Sequence, residues 1–291
     1  MTAPELLITG VTGTTGGATA AALSARGVRY RAVTRRPELI TDPAAEAVAA
    51  EFDDAETLRR ALGGVRAAYL VSPSTEKAEA QQRRFIDVAR AVGVEHIVLL
   101  SQFAARADSP VRFLRYHAAV EEHLSASGIG GTSLRPNLFM QGLLAMAVPI
   151  AVDGTLPAPI GDAAVSVIDA RDIGEVAAEA LTATEPLGTL TLTGPEALGH
   201  AAIAAALTRA LGRPVRFIDV APDAFAAALA GVVPAWQLDG LVEDYAHYAA
   251  GEARAVTTAV PDVLGRPARD IDAFARDYAA AFQAAGTKRS A

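Results

Sequence analysis

Three glycines spaced three residues apart constrain this chain more than any other feature. Gly10, Gly13 and Gly16 follow the apolar run Leu6-Leu7-Ile8, and an alanine-rich segment, residues 18–26, comes after them. The pattern predicts a buried strand, a tight turn and the first turn of a helix. Each glycine has a separate task. Gly10 permits the sharp exit from the strand. Gly13 lacks a Cβ, so a pyrophosphate can approach the backbone. Gly16 lets the helix pack close to the sheet. The unpaired N–H groups of the first helical turn then face the phosphates, and the helix dipole favours their charge. Thr12, Thr14 and Thr15 add hydroxyl donors. Glycine-rich turns also occur without a ligand; the strand before this one and the helix after it favour the phosphate reading.

At 291 residues the chain can bury a sizeable core, as one large domain or a domain plus a smaller lobe. It is 51% hydrophobic, yet no apolar run reaches the ~18 residues of a membrane span. The start has no basic segment followed by an apolar stretch and cleavage site, so a cytoplasmic globular protein is expected. Cysteine is absent, which excludes disulfides, thiolate nucleophiles and cysteine-based zinc sites. A net charge of −7 argues against nucleic acid as a partner. Basic residues adjoin in nothing longer than pairs, among them Arg35-Arg36 and the terminal Lys288-Arg289.

A second strand is expected over residues 28–34, ending at Arg35-Arg36-Pro37. In a dinucleotide fold the end of this strand meets the adenosine ribose. An acidic residue there would hold the 2′-hydroxyl of NAD; here two arginines stand in its place. Guanidinium forks suit the 2′-phosphate of NADP. The plain alternative is a solvated arginine pair before a loop. Further strands are expected over 46–51, 67–71 and 96–101, the last apolar throughout as in a strand covered on both faces. Asp54 is the expected cap of a helix reaching Leu62, and a helix over 76–92 carries Phe85, Val88 and Ala89 on one face. This alternation predicts a doubly wound parallel sheet of Rossmann type, an α/β fold. Ligands bind beyond the C-terminal strand ends of such sheets, where Gly13, Arg35, Ser72 and Ser101 would lie.

A helix over 116–127, stopped by Gly128, leads to a sixth strand over 132–136. Beyond residue 145 the pattern changes. A short strand over 165–168 enters a helix with Asp172 as the expected cap. Strands over 190–193 and 215–220 flank a helix over 201–211, and a final amphipathic helix contains Ile271, Phe274 and Tyr278. The expected organisation is a core over residues 1–145, its sheet completed by later elements. A smaller lobe over 146–291 covers the strand ends and leaves a cleft.

With Thr-Gly-x-Thr-Gly-Gly at residues 12–17, the glycine turn resembles that of short-chain dehydrogenases/reductases. The order of helix, Ser-Gly, Thr-x-Leu-Arg-Pro and Phe-Met at 127–140 resembles the atypical NmrA-like branch more narrowly. Leu-Thr-Gly-Pro-Glu, Leu-Gly-Arg-Pro-Val and Leu-Gly-Arg-Pro-Ala match that branch in order, so the likeness covers nearly the whole chain. The resemblance implies that Glu51 and Phe52 contact adenine, though an ordinary turn explains them equally. It implies that Val71-Ser72-Pro73 pass the cofactor riboses and that the turn at Pro136 borders the nicotinamide. Phe139 and Met140 would wall the substrate side, or are simply core. The remaining apolar cleft candidates are Trp236 and Tyr245.

Ordinary members of the superfamily carry Tyr-x3-Lys on the helix before the sixth strand. Registering that helix by Glu121, Leu124 and Ser127-Gly128 places Phe113 at the tyrosine position and His117 at the lysine position. The usual dyad is absent. His117 could bond the ribose, donate a proton near neutral pH, or lie on the helix surface beside Glu121. Tyr116 lies about 100° around the helix from His117 and reaches the cleft only if this segment starts irregularly. Ser101 could bind a substrate carbonyl or merely end its strand. Asp169, Asp172 and Glu175 read as one cap and two solvated carboxylates rather than a metal cluster. The expected activity is NADPH-dependent reduction of a quinone, enone or similar conjugated carbonyl. A non-catalytic NADP(H) sensor and a redox-neutral biosynthetic enzyme are the alternatives. The expected partner is a small aromatic or conjugated substrate, and a homodimer stays open.

Overall fold

In the computed structural model of the protein, which describes residues 4–287, the glycine turn opens a parallel sheet of seven strands. The chain runs β1 (Leu6–Ile8), α1 (Thr14–Ala25), β2 (Tyr30–Thr34), β3 (Ala45–Ala49), α2 (Ala55–Leu62), β4 (Ala67–Leu70), α3 (Ala78–Ala91), β5 (His96–Leu100), α4 (Arg112–Ser127) and β6 (Gly130–Pro136). The second half runs α5 (Ala147–Asp153), β7 (Thr155–Ala158), β8 (Ala164–Val165), α6 (Ala170–Thr182), β9 (Gly188–Leu192), β10 (Leu198–Gly199), α7 (His200–Leu211) and β11 (Arg216–Asp219). It closes with α8 (Pro222–Leu229), α9 (Ala235–Ala249), α10 (Ala259–Leu264), α11 (Ile271–Asp277) and α12 (Ala279–Thr287). The sheet order is β3-β2-β1-β4-β5-β6-β9, the doubly wound arrangement expected from the sequence.

Alternation along each strand divides the apolar residues between two cores. Leu6, Ile8 and Val98 face one core with α1 and α6. Leu7, Ile97 and Leu99 face the other with α2, α3 and α4. Two of the elements in this layer, α6 and β9, come from beyond residue 145. Gly174 lets α6 lie on α1: a Cβ there would stand 2.5 Å from the Ala18 carbonyl carbon. A third core gathers α7, α11 and α12 around the β7–β11 pair.

Several local expectations are corrected. α4 begins at Arg112 rather than at residue 116, and β3 ends at Ala49, short of Glu51. The last helix is two, α11 and α12, separated at Tyr278. The cap of α6 is Asp169, which accepts from Arg171 N; Asp172 lies one turn in. Neither carboxylate is solvated, since Asp169 and Asp172 are both fully buried. Asp169 pairs with Arg171 at 2.6 Å, Asp172 with Arg266 at 2.7 Å and with Arg269, and Glu175 with both of the latter arginines. Burying these charges is tolerable because each meets a guanidinium. Lys288-Arg289 lies outside the described residues.

Candidate active site

The glycine turn is shaped by contacts that a side chain would break. Gly10 sits at φ +60°, and a Cβ there would be 2.8 Å from Val71 Cγ1. The Thr9 hydroxyl accepts from Val71 N at 2.8 Å and so locks β1 to the end of β4. At Gly16 a Cβ would stand 2.1 Å from the Gly10 carbonyl oxygen, which only glycine avoids. Gly13 differs: its Cβ position is 3.2 Å from the Gly10 oxygen and otherwise open. Thr12, Gly13 and Thr14 are exposed around this opening. Thr15, expected to add a hydroxyl there, is instead buried beside Tyr69. Gly13 caps α1 without a side chain, and no acid lies in the first turn. The positive end of α1 is left for an anion.

Arg35 and Arg36 are exposed just beyond β2. Neither guanidinium enters an ion pair among the described residues. Glu51 is exposed, while Phe52 leans on Phe85 with ring centroids 6.0 Å apart. At the end of β4, Ser72 accepts a 2.8 Å bond from Gln82, and Pro73 is exposed. Pro136, buried at the end of β6, accepts from Phe103 N at 2.9 Å.

Buried polar atoms without a hydrogen-bond partner among the described residues include Tyr69 Oη on β4, Gln82 Oε1, Ser101 Oγ and His117 Nδ1. An unsatisfied buried group costs ~1–3 kcal/mol, and folded proteins carry few without a reason. A dinucleotide with amide, hydroxyl and phosphate groups fits this setting. The open backbone at Gly13, the uncapped α1 terminus and the free arginines suit its phosphates, and the unpartnered atoms suit its polar ribose and nicotinamide end.

His117 is buried, not on the helix surface, and Glu121 is taken by Arg135. Burial pushes the imidazole down to about 3, so the ring is neutral at ordinary pH. Tyr116 reaches the loop after β4 from a helix that starts regularly; its hydroxyl lies 3.1 Å from Ser74 Oγ. Burial pushes that phenol up to about 12. Phe113 holds the position of the usual tyrosine and packs on Trp236, at 5.4 Å between ring centroids. α9 comes this close because residue 240 is glycine: a Cβ there would be 2.3 Å from Phe113 Cζ. Arg112 fastens the same junction, with Glu243 at 2.7 Å and Asp239 at 3.3 Å.

The other apolar candidates do not converge. Trp236 joins Phe113 and Tyr116, whereas Tyr245 packs on Phe225 and Tyr248. Phe139 lies against the α1–α6 core, and Met140, 1% exposed, is interior to the third core. A groove of about 770 Å³ lies elsewhere, lined by the loops at 159–164 and 219–222 and by the end of α9. None of the expected site residues lines it.

Sequence reasoning missed the loop after β5 and its partner on α9. Gln102 Nε2 donates to both oxygens of Asp244, at 3.0 and 2.9 Å, and the Tyr248 hydroxyl bonds the same carboxyl. Two residues on, Ala104 has φ +59°, the one non-glycine residue with positive φ among those described. Strain of this kind costs ~1–3 kcal/mol and gathers at functional sites.

Comparison with known proteins finds relatives over nearly the whole chain. A sequence profile of the NmrA-like family matches residues 2–263. The NAD(P)H azoreductase of Xenophilus azovorans is 34% identical over 285 residues, 96% of this chain and all of that protein. A (4-alkanoyl-5-oxo-2,5-dihydrofuran-3-yl)methyl phosphate reductase of Streptomyces griseus is 34% identical over 281 residues, 95% of this chain and 99% of that protein. The crystal structure of an NADPH-dependent quinone oxidoreductase of Escherichia coli, complexed with NADPH, superposes with a TM-score of 0.83. It is 26% identical and covers 94% of this chain and 99% of its own.

Proposed function

The chain belongs to the NmrA-like family, and from that premise we propose that it is an NADPH-dependent reductase of quinones, azo compounds or related conjugated acceptors. The observation that carries the reading is the set of unpartnered buried atoms, Gln82 Oε1, Ser101 Oγ and His117 Nδ1. Two relatives that span nearly all of this chain are reductases by name, which supports the same reading over the sensor and redox-neutral alternatives.

Bound NADPH supplies a hydride. The chain's own residues then have distinct tasks. The backbone at Gly13 and the first turn of α1 hold the pyrophosphate. Arg35 and Arg36 hold the 2′-phosphate by charge-assisted bonds. His117, neutral and buried, offers a hydrogen bond rather than a charged acid. Ser101 offers its hydroxyl to the acceptor. Phe113 has no proton to give, so the proton that completes the reduction must come from another group or from water. Quinones, azo bonds and activated enones each take up one hydride and one proton.

The test is NADPH oxidation measured against a panel of quinones, azo dyes and enones, with NADPH binding measured in parallel. Turnover with at least one class is expected. Tight NADPH binding with no turnover by any acceptor would replace the reductase with the cofactor sensor.

A further inference from the structure

We infer that Asp244 is the acid that delivers the proton to the reduced acceptor, with Gln102 as its positioning residue. The inference rests on the reductase reading. Its basis is the junction between the loop leaving β5 and helix α9. Ser101, Gln102 and Ala104 are consecutive parts of one short loop at the C-terminal edge of the sheet, the edge where ligands bind in doubly wound folds. Ser101 has a buried hydroxyl without a partner, and Ala104 is held at φ +59°. Between them, Gln102 reaches across to hold both oxygens of Asp244. A carboxyl brought from 142 residues away into a strained, polar loop has no evident packing purpose. An apolar side chain would fill the same space without the cost of burying a carboxyl.

The chemistry needs such a group. Reduction of a C=O, N=N or conjugated C=C bond adds a hydride to one atom and a proton to the other. The hydride comes from the reduced nicotinamide. The proton leaves the Asp244 carboxyl for the acceptor's oxygen or nitrogen, and water reprotonates the carboxylate. The groups around Asp244 narrow the choice of donor. Tyr116 is pushed up to about 12 and His117 down to about 3, both by burial. Tyr245 is likewise pushed up to about 12, and Tyr248 well above its ordinary value. Glu243, next in sequence, is committed to Arg112, and His247, one turn on, to Glu252 at 2.9 Å. Burial brings Asp244 itself to about 7, against the opposing bonds from Gln102 and Tyr248. It is the one carboxyl of this group that changes protonation near neutrality.

The experiment compares the natural protein with Asp244→Asn and Gln102→Met, using the best acceptor found. Natural turnover should fall as pH rises through about 7. Asp244→Asn should lose that limb and turn over ~10²-fold or more slowly, with NADPH affinity unchanged. His117→Ala should keep the limb. Gln102→Met should move it to higher pH, because the lost amide bond favoured the carboxylate. A second readout needs no turnover. With its folded pKa raised, Asp244 costs stability as pH rises from the ordinary aspartate range to about 7. The melting temperature should therefore fall over that window in the natural protein and not in Asp244→Asn. Turnover and limb retained in Asp244→Asn, or an unmoved limb in Gln102→Met, would overturn the role and leave the reductase reading intact. Absence of turnover by the natural protein with NADPH bound would overturn both.

Discussion

Coenzyme preference is where the geometry makes its most quantitative demand. Arg35 and Arg36 stand exposed beyond β2 with no ion pair among the described residues, so neither must give up a partner to take a phosphate. A charge-assisted hydrogen bond contributes ~1.5–3 kcal/mol. At ~1.4 kcal/mol per tenfold, NADPH should bind about 10- to 100-fold more tightly than NADH. The double substitution Arg35→Ala/Arg36→Ala should remove most of that difference by weakening NADPH while leaving NADH nearly unchanged. Each single substitution should fall between. Because the site is open to solvent, added salt should narrow the preference, as the Debye length shrinks from ~10 Å at 0.1 M to ~3 Å at 1 M. Calorimetric or fluorescence titration of both cofactors, at low and high salt, measures each quantity directly. Equal affinities in the natural protein, or a preference that survives the double substitution, would refute the reasoning.

Gly13→Val should fold, as judged by circular dichroism, because its side chain meets little but the Gly10 oxygen at 3.2 Å; NADPH binding should weaken by about tenfold or more, for the loss of one bond's worth of affinity. Gly240→Ala should destabilise the fold in denaturant titrations. Forcing a methyl group into the Phe113 ring costs ~1–3 kcal/mol, against ~1 kcal/mol gained in helix propensity, and adding Phe113→Leu should restore much of the loss. Asp169→Asn should cost about 3 kcal/mol at neutral pH, the low end for a broken buried pair because Arg171 is partly exposed. Burial alone would raise the Asp169 carboxyl, but bonds from Arg171 and Gln141 outweigh it and hold it below its ordinary value. Its contribution is thus present above the ordinary aspartate range and lost as pH falls below it, so the natural and variant proteins should converge in acid.

Local chemistry made much of this molecule legible in advance. The spacing of Gly10, Gly13 and Gly16 forecast the turn, and a side chain at Gly10 or Gly16 would indeed collide with its neighbours. The apolar runs at Leu6–Ile8 and His96–Leu100 forecast covered strands because parallel sheets bury both faces. The rest depended on partners that sequence does not show. Asp169 and Asp172 are equally acceptable caps on paper, and only the fold decides which faces the helix terminus and which meets Arg266. The Thr15 hydroxyl turns inward because α1 lies on the sheet at that point. His117 stays open between a cleft position and the surface of α4 until its surroundings in the folded chain are known. Asp244 carries no motif, and its meaning comes wholly from Gln102, far away in sequence.

The position of β9 at the edge of the sheet bears on how the chain is made. β6 is complete at Pro136, but its partner β9 ends at Leu192, 56 residues later. At ~5–20 residues per second, the nascent protein waits roughly 3–11 s with one side of β6 unpaired. The surface of α1 that α6 covers is bare for much of the same interval. An unpaired strand edge beside an apolar face is a template for aggregation. Fragments ending near residue 145 should therefore be poorly soluble, and slowing translation between β6 and β9 should lower the yield of native protein.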